Sequence, residues 1–271
     1  MVAKIAVPSY KRHKTFREKT ASLLEKYEVD PALVTVFVAN KEEEQLYKKE
    51  LAKTPYSRKD SIVVGVPGMG AIRNFIRDYY DEGEFVVNFD DDLSAINRKS
   101  PENEKKLENI DNIFTEVFKP MYDNMIVNNN TLCGVYAASN PFFMNYEPKV
   151  GLYYCIGSLW GNINDKHPDR YVQLDDKEDF ERTLQHYVLD GSVCRLDNIT
   201  VESKYYTEQG GMQVERTTDR IHKSAEELVR RYPNLCSMYI RESTGHAELK
   251  LKDKSGGMYD KSSSNLDSFF S

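Results

Sequence analysis

The segment Glu84-Phe85-Val86-Val87-Asn88-Phe89-Asp90-Asp91-Asp92 constrains this chain most: an apolar strand runs without a break into three consecutive carboxylates. Phe85, Val86 and Val87 belong in a core, but Asp90, Asp91 and Asp92 cannot follow them there unpaired. The carboxylates must sit at the strand's C-terminal mouth, where an α/β sheet usually binds its ligand. Asp90 and Asp92, at i and i+2, suit a hard divalent cation, Mg²⁺ or Mn²⁺, that bridges protein oxygens to a diphosphate. The plain alternative is a strand end followed by an acidic turn.

The pattern around this strand predicts the sheet it joins. Strands are expected at 4–7, 34–39, 61–65 and 84–89, with helices at 16–27, 41–51 and from Gly68 to about Tyr80. Such alternation with short connections predicts an α/β fold: a mostly parallel twisted sheet with helices on both faces. The second half is less regular. Helices are expected at 109–128, 177–189 and 218–232, and strands at 132–138, 152–160, 171–174, 193–204 and 246–251. With no repeat and no linker between the halves, one domain over 1–252 with a variable C-terminal subregion is expected. The tail 253–271 is rich in Gly and Ser, yet it carries Leu266, Phe269 and Phe270. A frayed terminus has no folding reason to hold these, so the tail either docks back or serves as a peptide ligand for a partner.

Composition narrows the class. A chain of 271 residues can bury one substantial core. No apolar run approaches the ~18 residues of a membrane span, and residues 1–5 lack signal-peptide anatomy. Cys133, Cys155, Cys194 and Cys236 are scattered, which reads as buried thiols in a reducing compartment, so a cytoplasmic location is expected. The net charge of −6 argues against tight nonspecific nucleic-acid binding. The basic clusters at 11–17 and 216–231 read as solvated helix faces.

In a parallel sheet three strand ends converge. The first delivers Pro8, Ser9, Tyr10, Lys11 and Arg12, a planar ring and cations to stack on or flank a nucleobase. The third leads into Gly68-Met69-Gly70, where glycines admit close approach of a ligand and a helix N-terminus favours an anion. Arg73 and Asn74, one turn on, are placed to reach a base or ribose. The fourth delivers the carboxylates. Together they point to a nucleotide diphosphate.

Pro-x-x-x-Arg at 8–12, Gly-x-Gly-x-x-Arg-Asn at 68–74 and Asp-x-Asp at 90–92 resemble the motifs of GT-A fold nucleotide-sugar glycosyltransferases. Asp176-Lys177-Glu178-Asp179-Phe180, opening a helix that exits at Gly191, is similar to their second acidic motif. The resemblance covers residues 2 to 200. It implies a GT-A-like, Rossmann-like fold with a nucleotide-sugar-binding half in 1–100 and an acceptor half in 101–252. It implies a UDP-sugar donor held by Pro8, Ser9, Tyr10, Arg12, Arg73, Asn74, Asp90 and Asp91. Asp90 and Asp92 would hold Mn²⁺ or Mg²⁺ on its diphosphate, with a third ligand from His246 or His222. Asp179 would meet the acceptor hydroxyl, with Glu178 as second candidate. Whether the reaction inverts or retains stays open, and so does the sugar.

More narrowly, Pro8–Arg12 with Arg73-Asn74-Phe75-Ile76 and residues 88–93 resembles the largely phage-borne glycosyltransferases associated with thymine and cytosine oxygenases, relatives of the base J enzymes. This implies an acceptor hydroxymethyl (or hydroxyl) on a modified pyrimidine of phage DNA, such as 5-hydroxymethylcytosine. The base would be flipped toward residues such as Tyr153, Tyr154, Tyr205, Tyr206 and Arg216. Leu266, Phe269 and Phe270 are similar to the tails that dock replication-associated proteins on sliding clamps, a tether that raises local DNA concentration without charge. Trp160 reads either as a core ring or as a flat wall for sugar or acceptor, and Gly210-Gly211-Met212 either as a closing loop or as a plain turn. A glycan, lipid or protein acceptor on the same fold, a nucleotidyltransferase and a non-catalytic binding module are the alternatives.

Overall fold

The computed structural model describes residues 2–203 and 217–252; Tyr205, Tyr206, Gly210, Gly211, Met212, Arg216 and the tail residues Leu266, Phe269 and Phe270 lie outside them. The first ninety residues fold as the alternation predicts. β1 (Ala3–Pro8) is followed by α1 (His13–Phe16), which passes through a π turn (Arg17–Ala21) into α2 (Ser22–Lys26). Then come β2 (Val34–Val38), α3 (Lys41–Leu51), β3 (Ile62–Val64), α4 (Met69–Tyr79) and β4 (Phe85–Phe89). Local chemistry sets the ends. The Asn40 side chain accepts the Glu43 N–H at 2.9 Å to start α3, with acids in its first turn and Lys48 and Lys49 in its last.

These strands pair in parallel in the order β3-β2-β1-β4. Period-two alternation then splits their side chains. Ile5, Val7, Val36, Val38, Val87 and Phe89 pack with Phe16, Leu24, Tyr47 and Leu51 on one face. Ala6, Phe37 and Val86 pack with Ile72, Ile76 and Tyr80 of α4 on the other. Cover on both faces explains why the strands read as nearly continuous apolar runs.

Past Phe89 come β5 (Leu93–Lys99), β6 (Leu107–Asn109), α5 (Lys119–Val127), β7 (Leu132–Tyr136), β8 (Lys149–Gly151), β9 (Leu159–Ile163), α6 (Glu178–Asp190) and β10 (Val193–Ser203). They extend the sheet to the order β3-β2-β1-β4-β9-β7-β10-β5-β6, with β8 on β10. From the pairings, β5, β8 and β9 run against the rest, so the sheet is mixed in its second half and mostly parallel overall. α7 (Thr218–Arg231) and the two-stranded sheet of β11 (Cys236–Ile240) and β12 (Ala247–Leu251) pack with α6 over Leu132, Trp160 and Val193. No helix among the described residues is long and apolar enough to cross a membrane.

Several sequence expectations fail in the second half. β5, β6, β8 and β11 were not anticipated, because their short segments are broken by polar residues such as Asn97, Arg98 and Glu108. The strand expected at 152–160 begins only at Leu159. Residues 171–174 form no strand. There the Asn74 amide takes both the N–H and the C=O of Val172, at 3.0 and 2.8 Å, and Glu181 Oε2 accepts the Gln173 and Leu174 N–H groups at 2.9 Å each. Side chains satisfy this backbone, so an extended pattern exists without a ladder.

Candidate active site

The C-terminal ends of β1 and β4 and the N-terminus of α6 open onto one cleft of about 370 Å³. Pro8, Ser9, Tyr10 and Arg12 line it together with Asp90, Asp91 and Asp92, with Glu178, Asp179 and Phe180, and with Tyr154, Ser203 and His246. The acidic turn is pinned from below. Thr20 Oγ1 donates to the Asp90 carbonyl at 2.7 Å and accepts the Leu93 N–H at 3.0 Å, and the Asp90 N–H meets the Ser158 carbonyl at 2.9 Å.

The three carboxylates have different surroundings. Asp91 turns toward β1, accepting from Ser9 Oγ at 2.5 Å and Arg12 Nη1 at 3.2 Å, and Ser9 Oγ is also bonded to the Tyr47 hydroxyl. Asp92 accepts from Ser203 Oγ at 2.8 Å and from Arg12 Nη1 at 3.3 Å. Asp90 keeps 32% of its side chain exposed and meets Arg73 Nη2 at 3.2 Å. Loss of water at the cleft floor pushes Asp90 up to about 7; Arg73 opposes the rise, while Asp92 and Asp91 add to it. Burial likewise raises Asp91 to about 6 against the pull of Arg12. Negative charge here is held under strain, and a cation would relieve it.

Across the cleft, the two acids of α6 differ. Glu178 is buried with both oxygens taken, Oε1 by Arg73 Nε at 3.3 Å and Oε2 by Arg182 Nη1 at 2.6 Å. Asp179 Oδ1 accepts the Phe180 N–H at 3.0 Å, and Oδ2 accepts the Tyr154 hydroxyl. The Tyr154 ring lies stacked on Phe180 with centroids 4.2 Å apart, which fixes the hydroxyl on Asp179.

The glycine-opened helix holds an anion of the chain's own. Gly68 adopts φ +97°, a conformation that suits glycine, and the Gly70 N–H donates to Asp175 Oδ1 at 3.0 Å. Asp175 and Asp176 are tied in turn to Arg220 of α7, at 3.6 and 3.2 Å. A Cβ at Gly70 would sit 2.8 Å from the Leu174 carbonyl oxygen. Gly70→Ala must therefore push the 174–175 segment off the helix, and urea unfolding is expected to show a loss of about 1–3 kcal/mol.

Four sequence expectations are corrected here. Asn74 does not line the cleft; its amide is spent on Val172. Trp160 is no exposed wall: it is 4% exposed, with the Arg182 guanidinium 3.8 Å above its ring. His222 lies on the exposed face of α7, bonded to the Gly245 carbonyl at 3.1 Å. His246 borders the cleft beside Thr218, but among the described residues no three His, Cys, Asp or Glu side chains converge as metal ligands. A preassembled third ligand is therefore not found there. Sequence reasoning also missed Asp175, Ser203 and Lys177, which line the same cleft. The left-handed Lys177 (φ 65°), paired with Glu248 at 2.6 Å, carried no distinctive sequence signal.

No family model matches the sequence, and no curated protein matches it. Among solved structures, the chain is similar to S. aureus TarS, residues 1–349, in complex with UDP-GlcNAc. The TM-score is 0.52 at 18% identity, over 84% of this chain and 67% of that one. The fold is GT-A-like. TarS 1–349 without the sugar nucleotide aligns at a TM-score of 0.47 and 19% identity, over 84% of this chain and 66% of that one.

Proposed function

We propose that this chain is a metal-dependent glycosyltransferase that moves a sugar from a UDP-sugar to a hydroxyl acceptor. One observation carries the reading: Asp90 and Asp92 open into the same cleft as Asp179, in a fold shared with a protein solved with UDP-GlcNAc. Pro8, Ser9, Tyr10 and Arg12 border the donor side, where the Tyr10 ring offers a flat face to the uracil. Asp90 and Asp92 supply hard oxygens, and the charge crowding at Asp90 suits a divalent ion. Mn²⁺ or Mg²⁺ there would neutralise the departing diphosphate. Asp90 and Asp92 would hold the ion together with the donor diphosphate.

Asp179 is our candidate for the group that meets the acceptor. With Oδ1 accepting the Phe180 N–H, Oδ2 meets the Tyr154 hydroxyl at the cleft and can take the proton of an incoming hydroxyl in an inverting reaction. Glu178, locked between two arginines, is poorly placed for that role. For the acceptor, the motif resemblance favours the hydroxymethyl group of a modified pyrimidine in DNA.

The test is a transfer assay. Protein, Mn²⁺ or Mg²⁺ and a panel of UDP-sugars are incubated with 5-hydroxymethylcytosine DNA and with unmodified DNA, and the digested nucleosides are weighed. A sugar-sized gain on the modified base alone supports both parts. Metal-dependent hydrolysis of UDP-sugar without a gain keeps the donor reading and moves the acceptor to another hydroxyl; inertness toward every UDP-sugar overturns it.

The raised Asp90 gives a pH dependence with a definite sign. Its proton must leave before a cation binds, so calorimetry with Mn²⁺ and UDP should show affinity falling as pH drops below about 7, by up to about tenfold per unit for one coupled proton. In the metal-free protein a folded pKa above the unfolded value contributes stability at acid pH, lost as pH rises from 4 through 7. Added Mn²⁺ should therefore raise Tm more at pH 8 than at pH 6.

A further inference from the structure

Arg73 is the side chain that joins the two acidic motifs. Its Nη2 donates to Asp90 Oδ1 at 3.2 Å and to the Gly157 carbonyl at 3.1 Å, and its Nε donates to Glu178 Oε1 at 3.3 Å. Glu178 Oε2 is held by Arg182, which also donates to the Cys155 carbonyl at 3.3 Å and covers the Trp160 ring. Arg73, Glu178, Arg182 and Trp160 are all buried. The result is a fixed line of alternating charge, Asp90–Arg73–Glu178–Arg182, backed by an aromatic ring and tied to the 155–157 segment of the cleft wall.

Such a line has an electrostatic consequence. A cation shared between two carboxylates neutralises each less than a cation devoted to one. Glu178 holds part of the Arg73 charge away from Asp90, and Arg182 fixes the distance at which it does so. Without Glu178, Arg73 would turn wholly to Asp90 and compete there with a divalent ion.

We propose that Glu178, held by Arg182, is a positioning residue that tunes the cation and diphosphate affinity of the donor site through Arg73, and is not the group that takes the acceptor proton. This rests on the donor reading given above, and its test separates the two. Glu178→Gln keeps shape and hydrogen bonds while removing the charge. Calorimetry with Mn²⁺ and UDP as the probe should show binding weakened about tenfold, the size expected for losing one charge two contacts away. The same substitution in an Arg73→Met background should have almost no further effect, because groups acting through a common partner are not additive. Arg73→Gln serves as the second background if the methionine variant unfolds, and thermal unfolding of each variant reports whether the fold holds.

Unchanged Mn²⁺–UDP affinity in Glu178→Gln with a large fall in UDP-sugar turnover would overturn the proposal and make Glu178 the base. A loss of equal size in both backgrounds would also overturn it, since Glu178 would then act without Arg73. If the unmodified protein binds no UDP in the presence of Mn²⁺, the donor reading falls and takes this inference with it.

Discussion

Asp90→Asn should fold normally and lose nearly all turnover of a UDP-sugar. The substitution is nearly isosteric, and the new amide can still accept the Arg73 N–H through its oxygen. What disappears is the negative charge at the most open of the three carboxylates. If Asp90 and Asp92 hold the proposed cation, removing one of these charges leaves the diphosphate with less countercharge as it departs. A fall of about 10²–10³ in kcat/KM is expected, comparable to losing a principal electrostatic group of an active site. Hydrolysis of UDP-sugar, followed by release of UDP, measures it without knowledge of the acceptor. Because a raised carboxylate is destabilising when ionised, thermal unfolding at pH 8 should show the variant as stable as the parent or more so. Wild-type turnover in this variant would remove Asp90 from the mechanism.

The second large effect belongs to Asp179, and it should separate from the first in kind. Asp179→Asn leaves the Tyr154 hydroxyl an acceptor and leaves every contact of Asp90, Arg73 and Glu178 in place. Mn²⁺–UDP affinity should therefore be close to that of the parent. Transfer should fall about 10²–10⁴-fold, the usual contribution of a positioned general base. The pH profile decides the chemistry. Loss of the acidic limb in the variant marks Asp179 as the base of an inverting reaction. A smaller, pH-independent loss marks it as an orienting group, as a retaining reaction requires. Equal loss in donor affinity would place Asp179 on the donor side and contradict the division of the cleft.

The two acids of α6 show how far motif reading reaches. Glu178-Asp179 stands in the sequence as a pair, and apart from the family resemblance, which favours Asp179, nothing in the letters ranks them. Packing does: Arg182, one turn along the helix from Glu178, fills the space over Trp160 and takes its carboxylate, while Asp179 is left beside Tyr154 at the cleft. Asn74 shows the reverse. Its place beside Arg73 in a donor-like motif suggested a ligand contact, but its amide completes the backbone of Val172. Gly68 and Gly70 suggested a ligand anion at the start of α4, where the structure instead places a carboxylate of the chain itself. The anion is Asp175, a hundred residues away in the chain, which no local pattern could supply.

Local pattern was enough to establish the first half of the sheet and the strand end that carries the acidic cluster. Alternating runs of apolar strand and amphipathic helix bury themselves in one economical way, and three adjacent carboxylates must end a buried strand because a core will not take their charge. Those are local constraints, carried by residues close in sequence. Long-range packing set the mixed order of the second half, the three distinct surroundings of Asp90, Asp91 and Asp92, and the Arg73 bridge from one acidic motif to the other. Each of these depends on pairings between residues far apart in the chain, where the energy of a contact is set by burial and geometry that no single segment contains.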